Sequence, residues 1–164
     1  MYTKESLLEF HKRTHHSLTK LLDHCRQFSS EELLRELPGF GFAALRSQLH
    51  HAIGAEKYWV GVLIGRIDVD DDETDCPTIE SLEEYRKLTY SIAEGYLNSA
   101  TSEELSTARP MMTWGNKERT LIPAHVIMRT ITHIYHHQGQ IAAMCRILDK
   151  PVSPGLDYPI LENA

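Results

Sequence analysis

The chain has 164 residues, 41% of them hydrophobic and 24% charged. That is enough for one domain with a full core and excludes wholesale disorder. Lys and Arg number 17 against 23 Asp and Glu, a net charge of −6, and no basic cluster interrupts that balance, so neither a nucleic-acid nor an anionic-membrane partner is expected.

No apolar run reaches the roughly 18–20 residues of a membrane span, and the opening residues hold no signal-like apolar block. The three cysteines, Cys25, Cys76 and Cys145, are too scattered for a disulfide framework or a Cys-rich zinc site. These features read as a reduced, cytoplasmic protein. The unusual count is histidine: ten residues, most of them in clusters.

Helical periodicity runs through four segments, with no alternating Val/Ile/Tyr run for a sheet core. Over residues 4–27, Leu7, His11, Thr14, Leu18, Leu21 and Cys25 recur in steps of four and three, the seam of a bundle helix. Ser29-Ser30-Glu31-Glu32-Leu33 supplies caps for a short turn, and Pro38-Gly39 breaks the pattern. A second helix is predicted over 42–63, with Leu45, Leu49, Ala52, Glu56, Trp59 and Leu63 on its seam and Gly65 as terminator.

Residues 66–78 are acidic, contain Pro77, and read as a connector. Fifteen or so extended residues span about 50 Å, more than the neighbouring helix, so this connector is long enough to return along the bundle. A third helix is predicted over 79–98. Residues 101–121 read as irregular, with a small hairpin around Gly115-Asn116. The fourth helix starts near Pro123, suited to a first turn, and runs to about residue 148, where Pro151 and Pro154 end it. The expected fold is all-α: a four-helix bundle with a long crossover between the second and third helices, forming one domain over residues 1–164.

His133 and His137 stand four residues apart on the fourth helix, about 40° apart on one face, so two imidazoles can converge on one ion. The same spacing also fits half-buried histidines that bind nothing. A further ligand has to come from another helix. On the second helix His51 falls at the edge of the apolar face beside Ala55 and Tyr58, and His50 falls with Arg46 and Lys57 on the water side; His51 is the better inward residue, although the wheel does not force the choice.

His11 and His15 form a rival pair on the first helix, with His11 on the seam itself. His16 and His24 read as solvated. The acidic residues Asp68, Asp70, Asp71, Asp72, Glu73 and Asp75 lack the glycine and distal glutamate of a calcium loop. No nucleophile elbow, P-loop or dinucleotide fingerprint is present. Cys25 and Cys145 read as buried thiols, and Cys76 sits in an acidic stretch that opposes thiolate formation.

The stretches L-H-H-A-I-G-A-E-K-Y-W-V (residues 49–60) and H-I-Y-H-H-Q-G-Q-I (residues 133–141) resemble the DinB/YfiT-like proteins, as do S-S-E-E-L-L (29–34) and R-I-L-D-K-P-V-S-P (146–154). The resemblance covers nearly the whole chain. It implies a four-helix bundle of unusual connectivity, often dimeric, in which three histidines bind a divalent metal, commonly nickel or zinc. Carried over by position, the ligands are His51, His133 and His137. Members often have Arg where this chain has Gln138, a position that neighbours a ligand but faces away from it.

Characterised members of that family include thiol S-transferases using bacillithiol, mycothiol or glutathione, and a mycothiol-dependent isomerase. The resemblance thus implies a metal-dependent enzyme that activates a thiol or water, with a small-molecule substrate such as a low-molecular-weight thiol. The alternative is a metal-stabilised binding bundle without turnover. All-imidazole ligation suits nickel, zinc, iron or copper. Glu56 and Gln140 are the nearest polar candidates to hold the ligand rings, with a Glu56–His11 pair as the other role for Glu56.

Overall fold

Side-chain caps start most of the helices in this computed structural model, which describes residues 2–67 and 72–160. Thr3 accepts from the backbone N–H of Ser6 and opens α1, Lys4–Cys25. Ser29 and Glu32 form a reciprocal capping box on α2, Ser30–Leu34. The third helix, α3, Leu45–Ile64, has no side-chain cap, and Gly65 ends it in a left-handed conformation. Thr78 caps α4, Ile79–Ser99. Thr101 and Glu104 box the one-turn α5, Ser102–Ser106. The hairpin pairs β1, Arg109–Thr113, antiparallel with β2, Lys117–Leu121. Pro123 is the first residue of α6, Pro123–Ile147.

The four long helices follow the predicted segments closely. Two departures are informative. The segment 42–44 is not helical, because the helix begins only at Leu45, which leaves Phe42 in the preceding loop. Residues 102–106, read as irregular, form α5; the signal was the Thr101…Glu104 spacing of a capping box.

Side-chain contacts give the helix directions. Arg26 pairs with Glu80 and Tyr90 stacks on His11, so α1 and α4 run antiparallel. Gln48 meets Gln140 and Trp59 lies under Arg129, so α3 and α6 run antiparallel. Arg46 pairs with Glu73 just before α4, His50 stacks on Tyr85, and Gly61 and Ile64 share a groove with Leu88 and Ile92. The neighbours α3 and α4 are therefore parallel, so the end of α3 and the start of α4 lie at opposite ends of the bundle. Asp68, Asp70 and Asp71 lie outside the described residues; beyond them Asp72 caps a short turn through Thr74, and Glu73 pairs with Arg46.

Two apolar clusters make the core. One gathers Leu18, Leu21, Leu49, Ile53, Leu82 and Ile141; the other gathers Leu7, Val62, Leu63, Leu97, Leu105 and Ile127. Between them along the helices lie the buried polar side chains of His11, Thr14, His15, Glu56, Thr89 and Thr130. No helix among the described residues is long and apolar enough to cross a membrane.

Candidate metal centre

His133 and His137 project from α6 toward α3, and His51 meets them from α3. The Nε2 atoms of His133 and His51 are 3.2 Å apart, and those of His137 and His133 are 3.0 Å apart. One donor atom from each of the three residues lies within 4.8 Å of the others. The rings meet edge to face, with centroids 4.3–5.2 Å apart.

Hydrogen bonding alone serves this cluster poorly. A neutral Nε2 either carries a proton or offers one lone pair, so the central Nε2 of His133 cannot make a full bond to both neighbours. Three lone pairs directed at one ion remove the conflict. A tetrahedral ion with M–N bonds of about 2.0–2.1 Å separates its nitrogens by about 3.3 Å, close to the spacings found. The donor set and its geometry fit a transition metal.

The same surroundings keep the rings uncharged. Burial, reinforced by repulsion from His51, Arg129 and His136, holds the His133 imidazole down to about 4. Burial and then its neighbours His133, His51 and His136 hold His137 down to about 3. Burial followed by His50 lowers His51. Neutral imidazole is the form that ligates.

Phe42 stacks on His51 with centroids 3.9 Å apart and presents its edge to His137 at 6.3 Å, covering one side of the cluster. Nothing in the local periodicity singled it out. On another side His51 and His133 form part of the wall of a cavity of about 510 Å³, shared with His50, Tyr58, Trp59 and Trp114.

His50 does not sit on the water side: it is half-buried and stacks on Tyr85 of α4, centroids 5.2 Å apart. The parallel packing of α4 beside α3 covers a face that the helical wheel assigned to solvent. Gln138 is buried on the side of Ser17 and faces away from the cluster, as its position predicts.

Neither residue considered for holding the ligand rings does so. Gln140 hydrogen-bonds His136 Nε2 at 2.8 Å and accepts from Gln48. Glu56 points across the bundle to α1, where its two oxygens lie 2.7 Å from His11 Nε2 and 2.8 Å from His15 Nε2. The pair with His11 was among the sequence readings; the second bond, to His15, was not. The Nδ1 of His137 is buried and meets no hydrogen-bond partner among the described residues.

His11, His15 and Glu56 are a second cluster with a metal-type donor set, but its hydrogen bonds are already complementary. Arg86 donates to His15 Nδ1 at 3.2 Å and donates two further hydrogen bonds to the carboxylate of Glu83. A ring whose Nδ1 accepts carries its proton on Nε2, so His15 is a neutral donor to Glu56. Burial lowers the His15 pKa further than Glu56 raises it. For Glu56 burial opposes ionisation, but the hydrogen bonds that His15 and His11 direct at its two oxygens outweigh it and hold the carboxyl well below its usual range. This cluster reads as a structural network in which both Glu56 oxygens are bonded and only the His11 Nδ1 lacks a partner among the described residues.

The cysteines add no chemistry. Cys25 and Cys145 are buried, and a hydrogen bond between them, helped by burial, pushes the Cys25 thiol far up.

No curated protein matches the chain. The model of the DinB family matches residues 1–164. With a helical bundle and a histidine cluster in hand, the whole-length match settles the relationship: the chain belongs to the DinB family.

Proposed function

We propose that residues 1–164 act as a single-domain, metal-dependent enzyme in which His51, His133 and His137 hold one divalent transition ion, nickel or zinc foremost, with iron or copper also compatible. The observation that carries this reading is the convergence of three Nε2 atoms, two of the spacings being 3.0 and 3.2 Å, beside a small-molecule cavity. A bound ion of this kind supplies Lewis acidity, lowering the pKa of a thiol or a water on its open side.

The chain's own residues would do the rest. His133 and His137, one turn apart, make a rigid half-site, and His51 closes it from the facing helix. Phe42 excludes water from one side of the imidazoles. The aromatic walls Tyr58, Trp59 and Trp114 place a substrate against the His51–His133 edge. That open edge supports turnover over a closed, purely structural site, which a fourth protein ligand would complete; no further His, Cys, Asp or Glu joins the cluster among the described residues.

The substrate proposed is a small molecule, a low-molecular-weight thiol foremost, acted on by thiol transfer or hydrolysis in the cytoplasm. A homodimer is the proposed assembly, with Met112 and Trp114, 47% and 63% exposed, as apolar surface available to it. The test is elemental analysis of untagged protein followed by a panel of thiol cosubstrates with an electrophilic acceptor. One transition metal per chain and thiol-dependent turnover are expected; protein that binds no transition metal overturns the reading.

A further inference from the structure

The cavity beside the three histidines reverses the charge balance of the chain. Acidic residues outnumber basic ones overall, 23 to 17. The cavity wall nevertheless holds two guanidinium groups, Arg119 of β2 and Arg129 of α6, and no carboxylate. Neither arginine pairs with an acidic side chain among the described residues. The other titratable side chains on the wall are the imidazoles of His50, His51 and His133 and the phenols of Tyr58 and Tyr85.

Arg129 lies 5.3 Å over the Trp59 ring. That contact orients the planar fork while leaving its N–H groups free to bind an anion in two-pronged fashion. Arg119 reaches the wall from the hairpin, where it pairs in register with the buried Met111.

Much of the rest of the wall is aromatic. Trp114 lies 4.6 Å from Tyr58, ring to ring, and Tyr58 lies 5.1 Å from Trp59. Tyr58 also accepts a 2.9 Å hydrogen bond from the Trp114 backbone N–H, which ties the hairpin tip to α3. Trp114, a large indole at the end of a short hairpin, forms one side of the cavity.

We infer that the cavity takes a small organic anion, its carboxylate held by Arg119 and Arg129 and its apolar body laid against Tyr58, Trp59 and Trp114, and that the two arginines select which molecule reaches the histidines. A neutral molecule of the same shape gains the aromatic contacts but leaves both guanidiniums with water alone. The inference deepens the metal-dependent reading and rests on it for what the bound anion is brought there to meet.

The chain supplies its own reporter, because its two tryptophans, Trp59 and Trp114, both line the cavity. Chelator-treated and zinc-loaded full-length protein is titrated with 3-phenylpropionate and with its neutral counterpart 3-phenylpropan-1-ol, following tryptophan fluorescence. In the metal-free protein the acid is expected to bind about tenfold more tightly than the alcohol, the scale of one charge-assisted hydrogen-bonded contact. That preference is expected to vanish in the Arg119→Gln/Arg129→Gln double variant and to survive in Arg146→Gln, whose side chain is exposed outside the cavity. Circular dichroism confirms that the variants fold.

Equal binding of the two probes, no response to the acid, or a preference untouched in the double variant each overturns the inference. A preference that arises only on zinc addition and persists in the double variant places the carboxylate on the ion instead, which overturns the inference and leaves the metal reading standing. Arginine-dependent binding in protein that takes up no metal does the reverse.

Discussion

Glu56 and His15 meet across the diagonal of the bundle, 2.8 Å apart and both almost fully buried. Because Arg86 donates to the other ring nitrogen of His15, that imidazole has to offer an N–H to Glu56. The His11 ring is under no such constraint, since its Nδ1 has no partner among the described residues.

Glu56→Gln therefore has one acceptable arrangement. The amide oxygen takes the His15 N–H, and the amide nitrogen donates to His11 Nε2, which forces the His11 proton onto a buried, unpartnered Nδ1. The expected cost is about 1–3 kcal/mol of unfolding free energy, measured by urea denaturation, with the metal content unchanged. A variant as stable as the parent, or one that loses its metal, contradicts this account of the network.

For the three-histidine cluster the expected pattern of variants is selective. His51→Ala, His133→Ala and His137→Ala each remove the metal, whereas His50→Ala and His136→Ala retain it. Chelation of the parent lowers its unfolding free energy, and with it the Tm, by the contribution of the bound ion, about 2.7 kcal/mol at a hundredfold excess of metal over Kd. If His50→Ala abolishes binding and His51→Ala keeps it, the assignment on α3 is refuted.

Acid should destabilise the metal-free protein from an unusually high pH. Burial first, then neighbouring imidazoles, hold His133 down to about 4 and His137 to about 3; unfolded imidazoles titrate near 6.5. Between these values the unfolded chain takes up protons that the folded chain refuses, so stability is full above about 6.5 and falls as pH drops toward 4 and 3. The depressed carboxyl of Glu56 adds to the loss in the same direction below about 4.3. Thermal melts of chelator-treated protein between about pH 7.5 and 5 read this out. A flat profile, or the same slope in His133→Asn/His137→Asn, counts against it.

Gly61 tests the turn that ends α3. A Cβ there would lie 2.8 Å from the carbonyl oxygen of Arg66 and 3.3 Å from the Ile67 Cα, backbone atoms held by the Arg66 N–H to Gly61 carbonyl bond of 2.9 Å. The gain in helix propensity of about 1 kcal/mol is smaller than the displacement it forces, so Gly61→Ala should cost about 1–3 kcal/mol net. Gly95→Ala, in α4 with nothing within 4 Å of the added carbon, should instead stabilise by up to about 1 kcal/mol. Equal effects at the two sites in urea titrations would refute the steric argument.

Four of the helices were legible because each carries a repeating apolar stripe, and the spacing of His133 and His137 made a shared face legible on α6. The wheel favoured His51 over His50 but could not see Tyr85, which comes from a helix that starts fourteen residues past Gly65, beyond the connector. Glu56 was visible as a seam residue; its two partners on α1 were not both visible, since which helices face each other across a diagonal depends on their order in space. Phe42 escaped notice because the predicted second helix starts with it, whereas it lies in the loop before Leu45, where no helical period gives its direction. In each case the local chain encodes which side of a helix is buried, and the global arrangement decides against what.

The polar layer between the two apolar clusters gives the helices a common zero. Leucine seams alone tolerate a slip of one turn, about 5.4 Å, because one apolar side chain replaces another. A slip of α1 along α3 would instead drag Glu56 off both imidazoles and strand a carboxylate among residues such as Leu18 or Leu7. His51 lies five residues before Glu56 on the same helix, about 7.5 Å along its axis. The layer thus works as a ruler: by fixing α1 against α3 it also fixes the height at which α3 delivers its imidazole to α6.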